Sequence, residues 1–302
     1  MTKHLDGKVA VLTGSGRGIG REVALYFANE GAKIVVNDAG VNPDGTGHDG
    51  GPADEVVAEI KNAGGEAAPN YDSVATMEGG EKIIQTALDS FGRLDILINI
   101  AGILRDRMIF NMSEEEWDAV IAVHLKGHFA CTKPASVVMR QQRYGRIINF
   151  TSTSGVWGNA GQANYGAAKS GIAGFTRVVA RDLGRYGVTV NAIAPAAQTR
   201  LIGTIPGGFQ LPGPEFIPPM VAYLASDSAW NINGQVFYVI GGQVHVLNAP
   251  TAAKTIFKPG KWTLDELEER VARDLMQGVR NPAPPAEDIK VPGREETAEV
   301  PA

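Results

Sequence analysis

The stretch from Lys8 to Glu30 narrows the possible folds more than any other part of the chain. Lys8 to Thr13 (KVAVLT) is a short apolar run without polar alternation, the pattern of a strand covered on both faces in a parallel sheet. It closes on Gly14, Ser15, Gly16, Arg17, Gly18, Ile19 and Gly20, and an amphipathic segment, Arg21 to Glu30, follows. Glycines in that turn permit positive φ and let backbone N–H groups approach a pyrophosphate, whose charge is stabilised at the helix amino terminus. Strand, glycine turn and helix in this order predict a dinucleotide site, with all seven turn residues as candidate contacts.

A second strand, Lys33 to Asn37, ends in Asp38, eighteen residues after Gly20. A carboxylate at that distance accepts hydrogen bonds from ribose hydroxyls and repels a 2′-phosphate, so NAD(H) is expected over NADP(H). Arg17 is the contrary hint, because a guanidinium in the turn can pair with a 2′-phosphate; Asp38 carries more weight. Residues 39–52 are rich in Gly, Asp and Pro and read as a surface loop with a solvated His48. A helix at Ala53 to Asn62, a strand at Glu66 to Tyr71 and the pair Asp72 and Ser73, placed to hold an adenine, come next. A helix from Met77 to Phe91 leads to a strand, Leu94 to Asn99, that runs into Ile100, Ala101 and Gly102.

In the second half, Ser113 and Glu116 form a capping box before a helix expected at Trp117 to Met139, weakened in its middle by Gly127, where His124 and His128 stand. The apolar strand Arg146 to Thr151 ends at Ser152, and thirteen residues later come Tyr165 and Lys169. Four residues apart on a helix, the last two lie on one face, where an ammonium beside a phenol favours the phenolate. A phenol titrates near pH ~10 unaided, so that cation is what would fit Tyr165 for acid–base work on a carbinol or carbonyl. YxxxK alone is a weak signal that recurs by chance in helices. Strands at Val188 to Ile193, ending at Pro195, and at Gln235 to Ile240 enclose a Gly- and Pro-rich stretch, 196–214, expected to be a mobile substrate lid.

This alternation predicts an α/β fold with a single doubly wound, Rossmann-type parallel sheet and helices on both faces. The expected organisation is one domain over 1–248, an extension over 249–280 with a docking helix capped by Thr263 and Glu266, and a disordered, proline-rich tail over 281–302.

Composition excludes some classes. A formal net charge of −5 with no basic stripe argues against nucleic-acid or anionic-membrane partners. One cysteine, Cys131, leaves no internal disulfide, and no Cys/His/Asp spacing suggests a metal. With no leader-like, membrane-spanning or peroxisomal signal, a soluble cytoplasmic protein is expected.

Taken together, residues of roughly 5 to 245 resemble the short-chain dehydrogenase/reductase family. Thr13 to Gly20 is similar to its TGxxxGxG turn, Asn99 to Gly102 to its NNAG, and Ser152 with Tyr165 and Lys169 to its serine and YxxxK. The resemblance implies Tyr165 as general acid/base, Ser152 orienting the substrate oxygen, and Lys169 lowering the phenol's pKa while binding the nicotinamide ribose. It places Asp72 and Ser73 at the adenine, Asn99, Ala101 and Gly102 at the adenosine ribose, and Pro195 and Thr199 at the carboxamide. It also implies a homo-oligomer, dimer or tetramer. NYDSV, GILRDR, VHLKGHF, YGRII and GNAGQANYGAAK resemble more narrowly the (3R)-hydroxyacyl-CoA dehydrogenase modules of peroxisomal multifunctional enzymes and their bacterial relatives. That implies an alcohol or ketone substrate of acyl-CoA or hydroxysteroid type. Alternatives are an NADP-dependent 3-oxoacyl carrier-protein reductase, a terpene or cyclic alcohol dehydrogenase and, more remotely, a catalytically silent dinucleotide sensor. Three positions depart from the pattern: Ile100 for the second Asn of NNAG, Ala196 for a glycine, and His124 for a catalytic Asn. At His124 the main-chain carbonyl is expected to hold a relay water, with the ring in support.

Overall fold

The computed structural model describes residues 3–199 and 210–284. The first half alternates β1 (Val9–Thr13), α1 (Gly18–Asn29), β2 (Lys33–Asn37), α2 (Gly51–Asn62), β3 (Ala67–Asn70), α3 (Met77–Phe91) and β4 (Ile96–Asn99). The second holds α4 (Glu114–Ile121), α5 (Gly127–Gln142), β5 (Gly145–Phe150), α6 (Thr153–Trp157), α7 (Ala163–Leu183), β6 (Val188–Ala196), α8 (Pro218–Ala225), β7 (Val236–Ile240) and β8 (Gln243–Leu247).

These strands form one sheet in the order β3-β2-β1-β4-β5-β6-β7-β8, parallel throughout except for β8. Every residue of β1, β4 and β5 is buried, because helices cover both faces. Side chains alternate between those faces: Ala10 and Leu12 join Phe27, Ile34 and Ile96 in one core cluster, while Val9 and Val11 join Leu97, Met139 and Ile147 in the other. The strand order reverses between β1 and β4, and register sets Thr13 beside both Asn37 and Asn99 at the strand ends. Connections leave those ends in opposite directions and open a crevice there, the usual ligand position in such sheets.

Four features differ from expectation. A final strand, β8, turns back antiparallel on β7 through Gly241 and Gly242, where the chain was expected to leave the sheet. A short helix, α6, follows Ser152 directly. The helix expected at Trp117 to Met139 is two helices joined by a π turn, Ala122–Lys126, centred on His124. The loop after Asp38 is folded rather than merely solvated: Asn42 N–H donates to the Thr46 carbonyl at 2.7 Å, and Asp44 accepts from Thr46 N–H at 2.9 Å.

Of the lid expected at 196–214, residues 200–209 lie outside the described residues, as does 285–302 of the expected tail. Contacts divide the chain into two units, Met1–Ala249 and Pro250–Ala302. In the second, Thr263 and Glu266 make their capping box on α9 (Leu264–Arg270), which continues into a π turn at Val271–Leu275. Among the described residues, no helix is long and apolar enough to cross a membrane.

Candidate active site

A cleft of about 560 Å³ lies along the carboxyl ends of the strands. Its coenzyme-type half starts at the glycine turn. Gly14 has φ +64°, and a Cβ there would stand 2.6 Å from the Ala101 Cα, so only a hydrogen fits between the turn and the segment after β4. Gly14, Arg17, Gly18, Ile19 and Gly20 line the cleft. Ser15 and Gly16 stand behind it: Ser15 Oγ donates to the Leu12 carbonyl at 2.8 Å, and Gly16 N–H donates to Asp38 Oδ2 at 2.9 Å. A second backbone donor, Gly40 N–H at 2.8 Å, fixes the other oxygen of Asp38. The carboxylate is therefore oriented before any ligand arrives, with lone pairs remaining toward the cleft.

Asp72 and Ser73 line the same half, with Asp72 Oδ2 held by the Asn70 amide at 2.9 Å. Ala101, Gly102, Pro195 and Thr199 also line it. Asn99 does not. Its amide is buried beneath the floor, donating to Asn149 Oδ1 at 2.9 Å and to Thr132 Oγ1 at 3.2 Å, and Asn149 continues to Thr176 at 2.9 Å. Its side chain ties β4 to β5 rather than reaching a ribose. Glycines admitting close backbone approach, an oriented carboxylate and a helix amino terminus at one end form a donor and acceptor set that fits a nicotinamide dinucleotide.

Ser152, Tyr165 and Lys169 meet at the other end of the cleft. Ser152 caps α6, its Oγ accepting from Ser154 N–H at 3.2 Å. Burial pushes the Tyr165 phenol up to about 12, opposed by a hydrogen bond with Ser152 and reinforced by the charge of Asp106. Burial also pulls Lys169 down to about 7. Its Nζ donates to the Phe150 carbonyl at 2.6 Å and lies 5.5 Å from the Tyr165 ring centroid. The depressed phenol expected from helical spacing is thus not what this arrangement produces. Desolvation dominates at the phenol, while the amine is directed at the end of β5.

One prediction follows from Lys169. A lysine whose folded pKa is near 7, against the ordinary value of 10.5, costs most below pH 7, where the buried ammonium must stay charged. That cost shrinks as pH rises through this window and vanishes near the unfolded value. Lys169→Met is expected to be more stable than the parent by roughly 1 kcal/mol at pH 6 and to lose that advantage by pH 10, read by urea unfolding at both pH values.

His124 is buried on the π turn with its ring edge-on to Tyr165, 5.1 Å between centroids. Its Nε2 lies 3.0 Å from Ile103 N and 2.8 Å from the Ile103 carbonyl, so either neutral tautomer finds a partner. Burial, then the charge of Lys169, holds its pKa well below the ordinary value. The His124 carbonyl, where a relay water was expected, accepts from His128 Nδ1 at 2.7 Å.

Sequence reading missed several residues around Tyr165. Asn164 is fully buried, donates from Nδ2 to the Arg105 and Glu116 carbonyls at 3.0 Å each, and accepts Tyr165 N–H at 2.7 Å. Gln162 donates to Asp106 at 2.8 Å and accepts Ser154 Oγ–H at 2.7 Å. Residues 41–43 and Gly45 form part of the cleft wall. In the sequence Asp106 lies in GILRDR and Gln162 and Asn164 in GNAGQANYGAAK, stretches that carry the narrower resemblance, whereas 41–45 read as surface loop.

Residues 8–201 match the family model described as short chain dehydrogenase, and the chain belongs to that family. It is an oxidoreductase acting on CH–OH groups. Among its relatives, the peroxisomal hydratase-dehydrogenase-epimerase of Neurospora crassa is 45% identical over 257 residues, 84% of this chain but 28% of that protein, so the chain spans well under a third of that relative. The hydroxyacyl-CoA dehydrogenase ChsB1 of Mycobacterium tuberculosis is 40% identical over 92% of this chain and 91% of its own length. A crystal structure of a short chain dehydrogenase from Mycobacterium avium superposes with a TM-score of 0.84 at 49% identity, covering 93% of this chain and 98% of that one.

Proposed function

We propose that the protein interconverts a secondary alcohol and a ketone with NAD(H), on a 3-hydroxyacyl-CoA or a similarly bulky hydroxysteroid-like substrate. The observation that carries this reading is the presence of Ser152, Tyr165 and Lys169 in one cleft with an oriented Asp38. A nicotinamide bound there supplies hydride transfer. Tyr165 gives or takes the proton on the substrate oxygen, Ser152 orients that oxygen, and Lys169, held by the Phe150 carbonyl, stands beside the phenol. His124, edge-on to the phenol, keeps the ring in place. Similarity to a relative named for hydroxyacyl-CoA over nearly its whole length supports the acyl thioester class. Exposed Phe129 and Val137 on α5 and Val178 on α7 support association of copies into a dimer or tetramer.

Asp38 carries the coenzyme preference. NAD(+) is expected to exceed NADP(+) in kcat/KM by at least about tenfold, because a carboxylate beside a 2′-phosphate costs ~1.4 kcal/mol or more. Asp38→Ala is expected to remove most of that gap. The test of the whole reading is reduced-coenzyme formation with 3-hydroxyacyl-CoA, hydroxysteroid and cyclic secondary alcohols. Higher efficiency with NADP(+) overturns the coenzyme assignment, and turnover confined to small monocyclic alcohols overturns the substrate class.

A further inference from the structure

The segment Leu104 to Arg107 follows Gly102 and Ile103, and its first two residues line the cleft. Leu104 N–H donates to the Pro43 carbonyl at 2.8 Å. The Arg105 guanidinium forks: Nε donates to the Asp44 carbonyl at 2.9 Å, and Nη1 pairs with Glu115 Oε1 of α4 at 2.9 Å. The Arg105 side chain is 19% exposed, against 85% for Glu115, so the arginine is the packed partner of that ion pair. The loop it grips begins immediately after Asp38, closes on itself through Asn42 and Thr46, and lines the cleft with Val41, Asn42, Pro43 and Gly45. Gly45, at φ +88°, lies against Ile103, where a Cβ would stand 2.9 Å from Cδ1. On its other side, the Arg105 carbonyl accepts from Asn164, the neighbour of Tyr165.

We infer that Arg105 is a positioning residue that clasps loop 41–46 as a strap over the coenzyme half of the cleft and thereby sets how slowly a dinucleotide leaves. The inference rests on the reading of that half as a dinucleotide site. A guanidinium suits the task because its planar fork reaches two acceptors in fixed directions, which an ammonium on a flexible stem does not. The strap leaves the chain just after Asp38 and lines the same cleft, so its movement changes the wall against which a ligand on that carboxylate is held. Since the same residue's main chain meets Asn164, strap position and Tyr165 placement share one anchor.

Two measurements on Arg105→Gln test the clasp. In the protein without coenzyme, hydrogen exchange at the Asn42, Gly45 and Leu104 amides is expected to quicken about tenfold, the effect of losing ~1.4 kcal/mol of hydrogen bonding. By stopped-flow fluorescence, NADH is expected to dissociate about tenfold faster, with KM for coenzyme raised more than kcat is lowered. Arg105→Lys should recover part of both. Faster NADH release with loop exchange unchanged would mean direct contact with the ligand and overturns the clasp; parental values in both measurements overturn it as well. Failure of the parent to bind any dinucleotide removes the functional reading instead, and loop exchange still decides the clasp. If Arg105→Gln does not fold, Glu115→Gln, which removes the outer partner, is expected to shift both readouts in the same direction by a smaller factor, and parental values there overturn the proposal.

Discussion

Tyr165→Phe is expected to lower kcat by about 10³-fold while leaving coenzyme affinity and melting temperature close to those of the parent. The ring that packs edge-on against His124 is retained, so the substitution removes one oxygen and little else. The residue is half-buried with its phenol in the cleft alongside Ser152, and loss of the oxygen costs stability only about 1 kcal/mol. Without it nothing in the same place can exchange a proton with the substrate oxygen, because the Ser152 hydroxyl is far too weak an acid at neutral pH. With the phenol pushed up to about 12 by burial, the parent's Tyr165 is protonated at neutral pH and equipped to donate in the reducing direction. Oxidation needs the phenolate, so its rate is expected to climb with pH. Steady-state rates in both directions from pH 6 to 10 provide the check. Activity of Tyr165→Phe within tenfold of the parent removes the acid–base assignment.

Gly14→Ala is expected to cost roughly 3 kcal/mol of stability and to abolish dinucleotide binding together. Two penalties combine at this position. Its φ of +64° is unfavourable for any residue with a Cβ, by about 1–2 kcal/mol. The new methyl would also meet main-chain atoms, Ala101 Cα at 2.6 Å and Ala101 N at 2.9 Å, which cannot rotate away as a side chain could. Overpacking of this sort adds about 1–3 kcal/mol. Relief requires β1's turn and the segment after β4 to separate, and both line the cleft, so affinity falls with stability. Calorimetry and an NADH fluorescence titration measure the two effects. A variant that melts within a degree of the parent and binds NADH unchanged would show that the turn does not need its glycine.

What could be read along the chain was whatever is written in nearest neighbours. β1, its glycine turn and α1 follow from an apolar run, residues that accept positive φ and a helical apolar face, all within about twenty residues. The capping boxes at Ser113 and Thr263 are similarly local, and both form. The parallel sheet followed from alternation, since parallel strands require crossover helices. Asp38, Ser152, Tyr165 and Lys169 could be named because strand ends and one helical turn place them.

Tertiary structure alone decided where those groups point and what they cost to hold. Helical spacing put Lys169 near Tyr165, but a carbonyl from β5 captures its ammonium, and burial moves both pKa values against the simple expectation. Asn99 sits at a strand end as expected, yet its amide is bonded into the sheet because Asn149 and Thr132 arrive from distant elements. Loop 41–46 reads as solvated surface by composition and becomes cleft wall through contacts with Ile103, Leu104 and Arg105, some sixty residues away. Local backbone preferences and periodicity are short-range properties, so the linear chain determined the sheet, its order of helices and the inventory of reactive groups. Desolvation and long-range hydrogen bonding are properties of the packed whole, and they decided orientation, protonation and which of those groups face the cleft.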